Sequence, residues 1–201
     1  MTDARHRTKR HTADESRRLI VEAATQFLWE HPFRELTTGA LMNRTGLSRP
    51  AFYQYYRSVH EMIEDLLRDI EARMHDVASP WFAGDGDSQD SLRRSLAGVV
   101  SVCVDHGHVF RAISEAAPLD ERLEEAWTGF MGRWDEAVTA RILSEQEQGL
   151  IGPCDAPALA RALNMLDAAV LISEFGRRPQ GDPKAVTETL FRIWQRTLYG
   201  P

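Results

Sequence analysis

The side chains best suited by type and spacing to do chemistry crowd into one short stretch, Leu36 to His60, which reads LTTGALMNRTGLSRPAFYQYYRSVH. Arg49 and Arg57 carry guanidinium groups, and Thr37, Thr38, Ser48, Tyr53 and Tyr55 carry hydroxyls. With the Gln54 amide and the His60 imidazole they can bond phosphate oxygens, and the Arg49 fork also fits the edge of a guanine. Pro50 and Ala51 lie among them and belong to the same candidate surface. Upstream, Arg5, Arg7, Lys9 and Arg10 form a basic arm with Arg10 as its candidate contact. Two readings of the arm stand: it follows a nucleic-acid backbone or enters a minor groove, or it is a solvated tail.

Catalysis is poorly served elsewhere. His106-Gly-His108 sets two imidazoles about an expected turn, with no third ligand at helical spacing, and no glycine-rich phosphate loop occurs. Cys103 and Cys154 lie far apart and are too few for a zinc site of the usual kind. No metal, no cofactor and no catalytic residue are therefore expected. The N-terminus is basic without the apolar core of a secretion signal, and no run reads as long enough to span a bilayer, so a cytoplasmic protein with no membrane partner is expected.

Groups that must meet a polyanion need rigid elements behind them, and the apolar spacing is helical nearly throughout. Leu19, Ile20, Ala23, Ala24, Phe27 and Leu28 give one face of a first helix from Asp14, its cap, to His31, where Pro32 stops it. Thr37 caps a second helix that ends at Gly46, and Ser48 caps a third with Pro50 in its first turn. A fourth begins near Ser58, the stretch Ser79 to Asp87 breaks the chain, and further helices are expected over 89–106, 109–117, 119–148, 156–176 and 183–199. That is an all-α chain of about nine helices. Residues 1–57 form an N-terminal arm and three-helix head, and residues 58–201 a larger body. Charge divides the same way. The head holds ten Lys/Arg against six Asp/Glu, net +4, while the body is net −10 within an overall −6. A basic head on an acidic body orients the molecule on a polyanion.

Two short helices turning at Gly46, followed by LSRPAFYQYYRS, resemble the DNA-binding region of the TetR family over residues 14–70. The resemblance implies a bacterial helix-turn-helix regulator at the nucleoid: a homodimer, usually a repressor, on a palindromic double-stranded DNA operator, released by a small apolar or aromatic ligand. Phe52 and Tyr56 should point inward, and Tyr53 and Tyr55 outward. Met42 stands where the family usually has a small alanine, and Val59 where it usually has a phosphate-binding lysine, a place Arg57 or His60 would fill. The rival reading is a module that sequesters a ligand or partner without reading DNA.

In the body, bulky groups share helical faces: Met74, Val100, Val104, Phe110, Ile113, Trp127, Phe130, Met131 and Trp134. They suit either a dense core or an apolar ligand cavity. The resemblance favours the cavity, and a narrower likeness to the mycobacterial repressors of ethionamide activation rests on SRPAFY, WTGFMGRW (127–134) and ALNML (162–166). On the apolar helix over 156–176, Asn164 and Asp167 share a face with Leu171 and Phe175, and burial of an amide and a carboxylate demands partners. Asp167 either meets the ligand or pairs with an arginine across a dimer. The other face, Leu159, Leu163, Leu166 and Val170, is expected to pack on a second copy. So is a stripe on the last helix, Val186, Leu190, Ile193, Trp194 and Leu198.

Overall fold

The computed structural model describes residues 13–84 and 86–200, and among these every regular element is helical. The eight α-helices are α1 (Ala13–Glu30), α2 (Thr38–Thr45), α3 (Arg49–Tyr53), α4 (Val59–Ala83), α5 (Ser88–Ala116), α6 (Glu121–Glu147), α7 (Ala156–Phe175) and α8 (Pro183–Tyr199). Single 3-10 turns lie at Phe33–Glu35 and Ala117–Leu119. The starts are fixed by side chains that accept a first-turn amide: Thr37, Ser58, Asp87, Asp120, Asp155 and Asp182. Each satisfies a backbone N–H that has no partner inside the helix. Asp14 lies within the first turn of α1 rather than ahead of it, where its charge still suits the helix N-terminus.

Two boundaries differ from the sequence reading. The helices expected over 89–106 and 109–117 are one, α5, running straight through Gly107. A Cβ at Gly107 would lie 2.7 Å from the Phe175 backbone, so this glycine lets the end of α7 cross α5 closely instead of ending the helix. The expected break at Ser79–Asp87 is shorter, because α4 continues to Ala83 with Pro80 inside it. Proline removes a donor and opens the turn. Here Ser79 Oγ donates to the Asp76 carbonyl at 2.8 Å, the group that a residue-80 amide would have reached. From α5, Ser95 Oγ accepts the Trp81 amide at 3.3 Å and donates to the Ala78 carbonyl at 3.0 Å. Two serines thus mend the interrupted ladder.

The helices α1–α3 form the head around Ile20, Leu28, Leu41 and Phe52, all fully buried. In the body α5 is central, packed on α4, α7 and α8 and also on α1. Helices α5 and α7 have the length and apolarity of a bilayer span. Yet α5 is enclosed by other helices, and α7 carries Arg161, Asp167 and Glu174 and packs on α5, α6 and α8. Several contacts tie head to body, among them two polar clusters. Arg111 Nη2 of α5 donates to the Leu28 carbonyl at 2.7 Å, beside His108 stacked on Trp29 at 3.9 Å. At the start of α4, His60 bonds Asp120 at 2.6 Å, and Arg122 reaches Ser58 and Glu64.

Candidate DNA interface and ligand cavity

The turn between α2 and α3 is built locally. Gly46 sits at φ 69°, the left-handed region where a side chain is strained, and its amide reaches the Met42 carbonyl at 3.1 Å. Thr45 Oγ1 accepts the Leu47 amide at 3.1 Å and donates to the same Met42 carbonyl. Met42 itself is buried, its larger side chain absorbed between the helices. Phe52 and Tyr56 point into the core, Tyr56 bonded to Asp65 of α4, which also holds Arg17 of α1. Burial pushes the Tyr56 hydroxyl up to about 12, so it stays a neutral donor.

The expected contact residues divide on inspection. Thr37, Ser48, Arg49, Pro50, Tyr53, Gln54 and Arg57 are exposed on the head, Tyr53 at 60%. Thr38, Ala51 and Tyr55 are half-buried. The Arg49 guanidinium lies over Gly39, 2.8 Å from where a Cβ would stand, so the glycine leaves room for it at the start of α2. Ser48 occupies the cap position of α3, but its hydroxyl makes no capping bond, which leaves it available outward. The half-buried His60 ring bonds Asp120, whose carboxyl is held below its ordinary range by that bond, and Arg57 is exposed at the same corner. Arg10 and the rest of the arm lie outside the described residues.

In the body, a cavity of about 80 Å³ lies among five helices. Its walls are Met74, Ala78, Trp81 and Phe82 of α4; Leu92, Ser95, Leu96, Val99, Cys103 and Phe110 of α5; Trp127, Phe130, Met131, Trp134 and Val138 of α6; Asn164, Asp167, Ala168, Leu171 and Ile172 of α7; and Trp194 of α8. The rings pack on one another, with Trp127 on Phe130 at 5.5 Å and Trp81 edge-on to Trp194 at 5.6 Å. Asp167 accepts the Trp194 indole N–H at 3.0 Å, and burial pushes its carboxyl up to about 7. Asn164 donates to Asp135 at 2.8 Å. Burial, with the Asp167 charge nearby, pushes the Cys103 thiol up to about 12.

Four residues expected in the lining are not there. Val100 and Val104 face the start of α8 beside Pro183 and Lys184, Phe175 packs under Gly107, and Ile113 is buried outside the lining. Five residues expected between copies are also corrected. Leu163, Val186, Leu190, Trp194 and Leu198 are buried within one chain, Leu190 completely, because α8 lays its apolar stripe on α5. Leu159, Leu166, Val170 and Ile193 are half-buried. Trp81 and Phe82 were missed because they follow a proline and precede two glycines, a pattern that reads as loop. The signal that would have found them is the run of apolar residues at helical spacing from Met74 through Ala78 to Trp81.

An all-helical chain with a basic helix-turn-helix head and a hollow acidic body has the build of a helix-turn-helix transcriptional regulator. The match of family profiles makes this specific. Residues 20–66 match the bacterial regulatory proteins of the tetR family, and residues 92–200 match the C-terminal domain of transcriptional regulator EthR. The chain belongs to the TetR family, with an EthR-type body. It is 30% identical to the HTH-type transcriptional regulator EthR of Mycobacterium tuberculosis, over 96% of this chain and 92% of that protein. It is 28% identical to the EthR of Mycolicibacterium smegmatis over 96% and 91%. A TetR-family regulator from Syntrophomonas wolfei, 12% identical, shares the fold with a TM-score of 0.79 over 92% of this chain and 96% of that one. These relatives are named as transcriptional regulators. Among the described residues no group of three His, Cys, Asp or Glu is placed to hold a metal ion.

Proposed function

We propose that the protein is a ligand-responsive repressor. A homodimer sets its two α3 helices in successive major grooves of a palindromic operator, and an apolar ligand in the body releases it. The DNA contacts are Thr37, Thr38, Ser48, Arg49, Pro50, Ala51, Tyr53, Gln54, Tyr55 and Arg57, joined by Arg10 of the arm. The observation that carries the reading is the course of α4. It starts at the end of the recognition region and supplies Met74, Ala78, Trp81 and Phe82 to the cavity wall, so an occupant that displaces this wall moves the head. The second copy is assigned to the outer face of α7, where Met165 is 58% exposed beside Ala162 and Ala169, with the exposed edges of Leu166, Val170 and Ile193 around it. Such a dimer works in the bacterial cytoplasm, on the nucleoid.

A salt-dependent gel shift on the protein's own upstream DNA tests this. The expected result is a specific shift that resists non-specific competitor and weakens as salt rises. No specific shift there or at any genomic site overturns the reading in favour of a sequestering module.

A further inference from the structure

The polar groups of the cavity are unequal. Asn164 gives an N–H to Asp135 and keeps its carbonyl oxygen as an acceptor, Ser95 is committed to the backbone of α4, the Cys103 thiol is neutral, and the Trp134 indole N–H is buried without a partner. Asp167 has one partner only, the Trp194 indole on Oδ1, and no Lys, Arg or His is among the described residues that line the space. Two nearby cations are engaged elsewhere, Arg133 with Glu71 at 2.6 and 2.7 Å and Arg141 with Glu145, and a third, Arg161, is exposed on α7 outside the lining. A buried carboxylate without a cation is costly when ionised, and it resists that state until a cation arrives. The walls add a second preference of the same sign. Indole and phenyl faces carry negative charge density and attract cations, most strongly where water is excluded.

We propose that the occupant is a hydrophobic amine, an apolar or aromatic body whose single protonated nitrogen pairs with Asp167 against the tryptophan walls. The inference rests on the cavity being the ligand site of the regulator proposed above. It excludes carboxylate-bearing ligands, which would set two anions side by side, and it ranks neutral alcohols below amines of the same shape.

The test is calorimetric titration of the full chain at about pH 8, where the ammonium is still largely present, with phenylbutylamine, phenylbutanol and phenylbutyrate as probes of one shape and three charges. The amine should bind at least about tenfold more tightly than the alcohol, and the acid should not bind. Asp167→Asn keeps an oxygen for the Trp194 bond and removes the charge. It should weaken the amine by at least about tenfold and leave the alcohol within about twofold. Alcohol affinity equal to that of the amine, an Asn variant that binds the amine unchanged, or no amine binding at millimolar concentration each overturns the proposal. The same samples on operator DNA separate it from the regulatory reading. Asp167-dependent amine binding that leaves the DNA complex intact upholds the ligand class and sinks ligand-driven release. Release by the alcohol with no help from charge does the opposite.

Discussion

The head and the body bury different things. Among the described residues of the head, the buried side chains with a polar group are Ser16 and Tyr56, the latter through its hydroxyl. The body buries Glu71, Ser91, Ser95, His108, Arg111, Arg141, Glu145, Asn164 and Asp167. An interior of Ile20, Leu28, Leu41 and Phe52 is close-packed and apolar, and the Tyr56 hydroxyl at its edge, pushed up to about 12, stays neutral, so the head's charged groups lie at its surface. A core threaded with polar groups is different. Each must be paired, and each pairing is a place where an occupant or a proton changes the balance. Under the proposed function, the output belongs to the head's surface and the input to the body's interior.

The sharpest way to break this contrast is to alter the two functions separately. Arg49→Ala removes an exposed cation from the head and touches no buried contact. Loss of operator affinity by about 100-fold or more is expected, since a good base contact is worth about 1–3 kcal/mol and the dimer makes it twice. Size-exclusion chromatography should give the wild-type elution, that of a dimer under the proposed function. Unchanged affinity in the gel shift would remove Arg49 from the interface. Met165→Glu should do the reverse, placing a charge on the outer face of α7 and driving the chain to monomer at micromolar concentration, with the helical content intact by circular dichroism. A dimer that persists would move the seam elsewhere.

The same contrast explains what could be read before the fold was known. The head was legible because its signals are local: Gly46 needs a left-handed turn, Thr37 caps, and Phe52 and Tyr56 recur at helical spacing. The nine expected helices became eight because Gly107 looks like a stop in sequence, and its close approach to Phe175 depends on a residue 68 positions away. Trp194 and Leu198 read as a stripe, and a stripe does not say whether it faces a copy or its own α5. Trp81 fell in an apparent loop, since the repair of Pro80 by Ser95 is a contact between two helices. Long-range pairings of this kind leave no periodicity behind.

Ser95→Ala probes that repair and is expected to have a middling effect, confined to the body. The variant leaves the Trp81 amide and the Ala78 carbonyl buried without their partner. An unsatisfied buried group costs about 1–3 kcal/mol, which lowers Tm by about 3–10 °C in a chain of this size. Because α4 carries the cavity wall, ligand response should suffer more than operator affinity. A Tm within about 1 °C of wild type would show that α4 around Pro80 needs no support from α5.

The smallest effects distinguish two buried groups of the body by opposite pH slopes. Burial pushes His108 down to about 4, with Trp29 on its face and His106, Arg111 and Arg178 as the charged or titratable groups around it. The unfolded chain takes up this proton near about pH 6.5 while the folded chain refuses it. Its contribution to stability is therefore full above that value and is lost as pH falls toward 4. Asp167 runs the other way. Its folded value is raised to about 7, with Cys103 and the Trp194 indole facing it, so its contribution is full below the ordinary carboxyl range and is lost as pH rises through 7. In the wild type the two slopes oppose each other between about pH 4 and 6.5. Removing one should expose the other. Asp167→Asn should give a Tm that climbs with pH across this window, and His108→Phe, which keeps a ring on Trp29, one that falls. Shifts of about 2–6 °C are expected if each slope amounts to 1–2 kcal/mol. Parallel pH profiles for the two variants would show that the joint at Trp29 and the cavity at Asp167 are not separate titrating sites, and the division between them would fail.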